Sequence, residues 1–226
     1  MRKLFILFFV ATTMLAFGNG RLKSCNVKYN GITFTRSLNN APSLVSVKDN
    51  GRLRFEVGEK KDFFCDPNGT TISNAPILFT EIDNTLPFTF TTKVNPHFTP
   101  TGTYNAGTLY IYSSNTFWQK FAFEQDERGN HRIVTVRTQG TSDDNNHDIV
   151  KQDFAYLRIY SDTRTIAFYY SLDNHEWILV RLYKNNYPNK ILLGISSQCP
   201  KDKGTYCYFE GLQLSNDKVA DIRMGK

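Results

Sequence analysis

The chain has 226 residues, 40% hydrophobic and 14% aromatic, with 27 Lys and Arg against 21 Asp and Glu for a net charge of +6. This apolar content excludes an intrinsically disordered chain, and the length suits one large β-sandwich better than two small domains. The basic residues are scattered singly instead of forming a stripe, which argues against a nucleic-acid partner.

Residues 1–20 carry Arg2 and Lys3, an apolar stretch from Leu4 to Val10 continued by Met14, Leu15, Ala16 and Phe17, and small residues at Gly18 and Gly20. That is the layout of a cleaved secretory signal. The apolar run is too short for a comfortable membrane crossing and is interrupted by Thr12 and Thr13. Residues 21–226 are therefore expected to form one exported domain with no membrane partner. No linker, low-complexity tract or fixed-period repeat divides them.

Cys25, Cys65, Cys199 and Cys207 are even in number and lie beyond the signal, which suits disulfides and leaves three possible pairings. Cys199 and Cys207 flank the turn-rich Pro200-Lys201-Asp202-Lys203-Gly204, which favours that pair, with Cys25–Cys65 as the second. No Cys-x-x-Cys occurs, so no metal or cofactor is expected.

Period-two alternation then dominates, with no sustained helical period. After Asp49-Asn50-Gly51, Leu53, Phe55 and Val57 alternate with Arg52, Arg54 and Glu56, as in the second arm of a hairpin. Asn68-Gly69-Thr70 fits the N-glycosylation pattern and marks a turn. Glu81-Ile82-Asp83 resembles the start of a glycosidase signature but lacks its further Glu, and reads as a strand end and turn. Phe88, Phe90 and Val94 alternate with Thr89, Thr91 and Lys93. Further strands are expected at residues 108–112, 117–124, 132–137, 155–160, 165–170, 176–182, 190–196 and 206–214. So many short strands imply an all-β sandwich or barrel.

Successive side chains of a strand point to opposite sides of its sheet, so each strand has a second face. Phe117, Phe121 and Phe123 are expected to face a core, leaving Trp118, Lys120 and Glu124 opposite. Leu109 and Ile111 likewise oppose Thr108, Tyr110 and Tyr112. Val134 and Val136 are read as inward against Thr135 and Arg137, and Leu157 and Ile159 as inward against Tyr156, Arg158 and Tyr160. On one sheet, these second faces would unite aromatic rings with Arg, Lys and Glu, the composition of a sugar-binding groove.

Lys61-Asp62-Phe63-Phe64, Phe88-Thr89-Phe90-Thr91, Tyr104-Asn105-Ala106-Gly107, the run from Trp118 to Glu124, Thr141-Ser142-Asp143, Tyr156-Leu157-Arg158 and Tyr169-Tyr170-Ser171-Leu172-Asp173, with Trp177 and Arg181, occur in a familiar order. Together they resemble the concanavalin-A-like family named for the "regulation of enolase" protein, over residues 49–214. The resemblance implies an all-β, concanavalin-A-like jelly-roll sandwich of two antiparallel sheets, and implies no particular activity. Its recurring polar positions fall on Asp62, Asn105, Trp118, Lys120, Glu124, Arg158 and Asp173. Phe64, and the run Asp143-Asp144-Asn145-Asn146, stand where Trp is common in the family.

The expectation is a lectin-like binder of an oligosaccharide or polysaccharide, with Trp118 and Tyr110 stacking on sugar faces. Lys120, Glu124 and Arg158 would hold hydroxyls, alongside Asn105 and Asp62. The first alternative is a glycoside hydrolase or lyase acting through Glu124. Lys120 and Arg158 would keep that carboxylate ionised, as suits a base or nucleophile, although the sequence supplies no convincing second carboxylate. The second is a structural or protein-binding sandwich, favoured if the chain's own ends cover the second face. Asp143, Asp144, Asn145, Asn146 and Asp148 read as a solvated turn and not as a calcium loop. His97, His131, His147 and His175 are isolated and read as loop positions.

Overall fold

The computed structural model describes residues 21–226, so the expected secretory signal lies outside the described residues. Eight antiparallel strands form the larger sheet, in the order β1 (Lys23–Tyr29), β2 (Ile32–Leu38), β7 (Ile77–Asp83), β16 (Lys190–Gln198), β9 (Ala106–Ser114), β10 (Phe117–Gln125), β11 (His131–Gln139) and β12 (Thr141–Ile149). Seven form the smaller: β15 (Ile178–Lys184), β14 (Thr165–Ser171), β13 (Ala155–Ser161), β8 (Phe88–Pro96), β17 (Gly204–Ser215), β4 (Leu53–Gly58) and β3 (Val45–Val47). A separate hairpin joins β5 (Phe63–Cys65) to β6 (Thr71–Ser73), turning through Asn68-Gly69.

The two sheets make a jelly-roll sandwich because each offers one continuous apolar face. Phe34, Leu109, Ile111, Phe121 and Phe123 from the larger meet Phe55, Phe90, Leu157, Ile159, Phe168 and Phe209 from the smaller. Phe121 stacks on Phe168 across the interface, with ring centroids 5.0 Å apart. Each such buried ring contributes roughly 2–3 kcal/mol, so the alternation seen in sequence is what holds the layers together.

A second apolar cluster lies on the outer side of the larger sheet. Phe63 and Cys65 of the small hairpin pack there on Phe79, Tyr110, Tyr112, Trp118, Ala122, Val134 and Val136. Gly194 makes room for it, because a Cβ at that position would run into the Phe79 ring.

Four expectations are corrected by this arrangement. Val134 and Val136 point outward, since they lie opposite Ala122 and Lys120 of β10, and Ile133, Thr135 and Arg137 take the inner side. Residues 143–146 are no turn: they form the middle of edge strand β12, paired with Arg137 to Val134. His131 and His147 likewise lie in strands, opening β11 and within β12. Strand β13, with Arg158, belongs to the other sheet.

The expected disulfides are also absent: all four cysteines are free. The turn after Cys199 carries the chain from β16 of one sheet to β17 of the other, so it does not close a hairpin that could bring Cys199 to Cys207. Cys207 is sealed in the inter-sheet core. Cys25 packs against that same core, whereas Cys65 lies in the cluster on the outer side of the larger sheet. Unfolding without reductant in the presence of an alkylating reagent should therefore label four thiols per chain, read by intact mass; two or fewer would contradict this packing.

Residues near the end of the sequence cover part of the smaller sheet's outer face. Val219 and Ile222 pack on Tyr160, Tyr169 and Trp177, and Tyr169 donates to the Ile222 carbonyl at 2.6 Å. The outer face of the larger sheet carries an open cavity beside the hairpin.

Candidate functional site

Strand β10 presents Trp118, Lys120, Ala122 and Glu124 on the outer side, and their surroundings differ along the strand. At Trp118 the hairpin sits directly above. Phe63 meets the indole edge-on at 5.0 Å, the indole N–H donates to the Asn115 carbonyl at 3.1 Å, and no part of the side chain is exposed. Tyr110 is equally buried, its hydroxyl accepting from Gln198 Nε2 at 2.6 Å. Neither ring can stack on a sugar, which corrects the roles expected for both.

Toward Glu124 the cover ends and a cavity of about 750 Å³ opens. The segment leading into β5 runs beside the end of β16, through paired Lys61 and Cys199, and this brings Asp62 over β10. Lys120 Nζ donates to Asp62 Oδ1 and to Gln198 Oε1, each at 3.1 Å. Asp62 also accepts from the Phe63 backbone N–H at 2.7 Å. A buried ammonium needs such partners to offset its lost hydration, and the chain Asp62–Lys120–Gln198–Tyr110 supplies them. Removing Asp62 would strand the Lys120 charge.

Glu124 lines the same cavity, is only 8% exposed, and has no hydrogen-bond partner among the described residues. Burial is the main cause that pushes its carboxyl up to about 8. Lys120 opposes the shift, and the carboxyls of Asp144, Asp62 and Asp126 add to it. Glu124 is thus largely protonated at neutral pH, contrary to the ionised base expected. Arg132, directly across on β11, does not relieve it, because that guanidinium is bound to Asp126 at 3.1 Å.

Edge strand β12 completes the wall. Asp144 lies opposite Val136 and Asn146 opposite Val134, and both line the cavity. Ser142 anchors the hairpin to this strand by accepting the Cys65 backbone N–H at 2.9 Å. Phe64, on the hairpin's other side from Phe63, contributes a half-buried ring, and Tyr104 contributes another from a backbone with φ of 65°. A left-handed conformation is unfavourable for a non-glycine residue; here the Tyr104 N–H donates to the Gln125 carbonyl at 2.7 Å.

Of the expected site residues, Asp62, Lys120 and Glu124 come together in the cavity. Arg158 is on the opposite sheet, over the Trp177 ring at 3.6 Å and donating to the Gly225 carbonyl at 3.0 Å. Asp173, also on that sheet's side, accepts the backbone N–H groups of His175 and Glu176 in the turn before β15. Asn105 is fully buried, spanning Gly102 and Gln125 through its backbone, and does not line the cavity. Sequence reasoning missed Asp144 and Asn146 because Asp and Asn are default turn residues. Tyr104 and Phe64 were quoted as family positions but given no role.

Comparison with known proteins gives a family and a fold. Residues 38–217 match the family described as "Protein of unknown function (DUF1349)". No curated protein matches the chain. Among solved structures, a functionally unknown protein from Saccharomyces cerevisiae aligns with a TM-score of 0.71 at 23% identity, covering 80% of this chain and 96% of that one. The Bacteroides ovatus xyloglucan PUL GH43B aligns at 0.63 and 14% identity over 85% of this chain but only 38% of its own length. An alginate lyase from Klebsiella pneumoniae aligns at 0.51 and 8% identity, covering 76% and 84%. At these identities the likeness is one of fold.

Proposed function

Since the chain belongs to the DUF1349 family of proteins of unknown function, we propose that it is an exported carbohydrate-binding sandwich whose ligand enters the cavity between the small hairpin and strands β10–β12. The narrower kinship with the family named for the regulation of enolase protein is part of this reading. One observation carries it: a cavity of about 750 Å³ combines the half-buried rings of Phe64 and Tyr104 with the unpartnered Glu124 carboxyl. Sugar sites pair apolar ring faces with convergent hydrogen-bonding groups in this way. A protonated Glu124 can donate to a sugar hydroxyl as well as accept, while Asp62, Asn146 and Asp144 offer acceptors.

The test is binding on a glycan array, followed by calorimetry on the hits. Phe64→Ala should weaken binding about tenfold or more, consistent with loss of one stacking ring, with its melting temperature staying near that of the wild type. A blank array, or full affinity in Phe64→Ala, would count against the assignment.

A second reading, glycoside cleavage, is favoured by the raised Glu124 carboxyl, which suits a general acid. The carboxyls of Asp62 and Asp144 share the cavity as candidate partners. Turnover of any polysaccharide that disappears in Glu124→Gln would select this reading, whereas binding with no turnover selects the first.

A further inference from the structure

The protein carries a net charge of +6, yet the cavity has the opposite bias, with five carboxyl side chains against three ammonium groups on its walls. Among these groups Lys60, Lys201 and Glu127 stand exposed, where solvent screens them, and Glu127 is paired with Arg128. Lys120, deeper down, is already committed to Asp62 and Gln198. Glu124 is left buried, with no hydrogen-bond partner among the described residues, next to a cavity large enough for a sugar. Asp144 faces the same space from β12.

A ligand that fits these walls supplies positive charge and several N–H donors together. A neutral hydroxyl supplies one donor and no charge, and an N-acetylated amine supplies one N–H. A uronate adds a charge of the repelled sign. Resting on the carbohydrate reading above, we infer that the cavity selects a sugar bearing a free, protonated amine, of the hexosamine class without its acetyl group, whose ammonium is received by the Asp144 carboxylate and by Glu124, which gives up its proton to solvent as the cation arrives. Charge-assisted hydrogen bonds are roughly twice as strong as neutral ones, and three donors on one nitrogen can serve both carboxyls. The mutual repulsion of these carboxyls, which helps to raise Glu124, is relieved by the same cation.

The experiment is calorimetry of the full chain at pH 6 with four oligosaccharides of equal length: glucosamine, N-acetylglucosamine, neutral glucose and uronate oligomers. The glucosamine oligomer should bind about tenfold or more tighter than its N-acetylated form, about the magnitude of one partly solvated ion pair. The ratio of the two dissociation constants should fall toward one in Asp144→Asn and in Glu124→Gln, both nearly isosteric. Equal or tighter binding of the acetylated, neutral or uronate oligomer overturns the amine preference while leaving a carbohydrate site in place. An unchanged ratio in both variants overturns the role of the two carboxyls. Binding of none of the four overturns the carbohydrate reading as well.

Discussion

Trp118→Ala should cost the protein about 3–5 kcal/mol of stability and lower its melting temperature by roughly 10 °C or more. The indole is unexposed, packed on Phe63 at 5.0 Å and on Tyr110 at 6.1 Å. Truncation would remove its buried area, leave a cavity under the hairpin and free the Asn115 carbonyl of its donor. The loss would reach the candidate site, because the same hairpin carries Phe64 and follows directly on Asp62. Loss of ligand binding in this variant would therefore report a loosened hairpin, and Phe64→Ala is the cleaner probe of recognition. Urea unfolding of both proteins checks the prediction, and a loss below about 1 kcal/mol would mean that the hairpin does not seal the indole.

The second large effect is on pH dependence. The Glu124 carboxyl is raised in the folded protein from its ordinary 4.5 to about 8. A group raised on folding contributes stability that is fully present below its unfolded value and is lost as the pH climbs through the folded one. Stability should therefore decline between about pH 5 and pH 9 as the buried carboxyl is forced to ionise, by an amount on the order of 4 kcal/mol. Glu124→Gln keeps a neutral side chain of the same shape and should abolish this decline. Unfolding free energies measured for both proteins at intervals across that range give the difference directly. The variant should match the wild type near pH 5 and exceed it at pH 9. Parallel curves would show that Glu124 is better solvated than its burial implies.

Much of the strand framework was legible in the alternation itself. Phe121 and Phe123 of β10, Leu109 and Ile111 of β9, and Leu157 and Ile159 of β13 all face the inter-sheet core as their spacing implied. Strand β11 was misread because Val134 and Val136 are apolar yet face outward. They belong to the second cluster under the hairpin, while Thr135 and Arg137 take the inner side. A strand buried on both faces gives hydrophobicity no single direction. Strand β12 was missed for the converse reason: its residues Asp143 to Asn146 have turn propensity, and pairing with β11 overrides it.

At the candidate site, Asp62, Lys120 and Glu124 were identified from sequence, and the structure brings them to one cavity. Arg158 was grouped with them because its strand has the same pattern, but β13 lies in the other sheet. Its guanidinium is held by Trp177 and the Gly225 carbonyl.

What the sequence determined by itself was the class of fold and which side chains of most strands avoid water, since a two-residue period is a local property of the chain. Which strands share a sheet, which outer rings are sealed by Phe63, and which carboxyls meet across a cavity were decided only by tertiary structure. Those outcomes depend on pairings between residues far apart in sequence, such as Lys61 with Cys199 and Lys120 with Asp62. Local alternation is the same whichever partner a strand finds, so it leaves those pairings open.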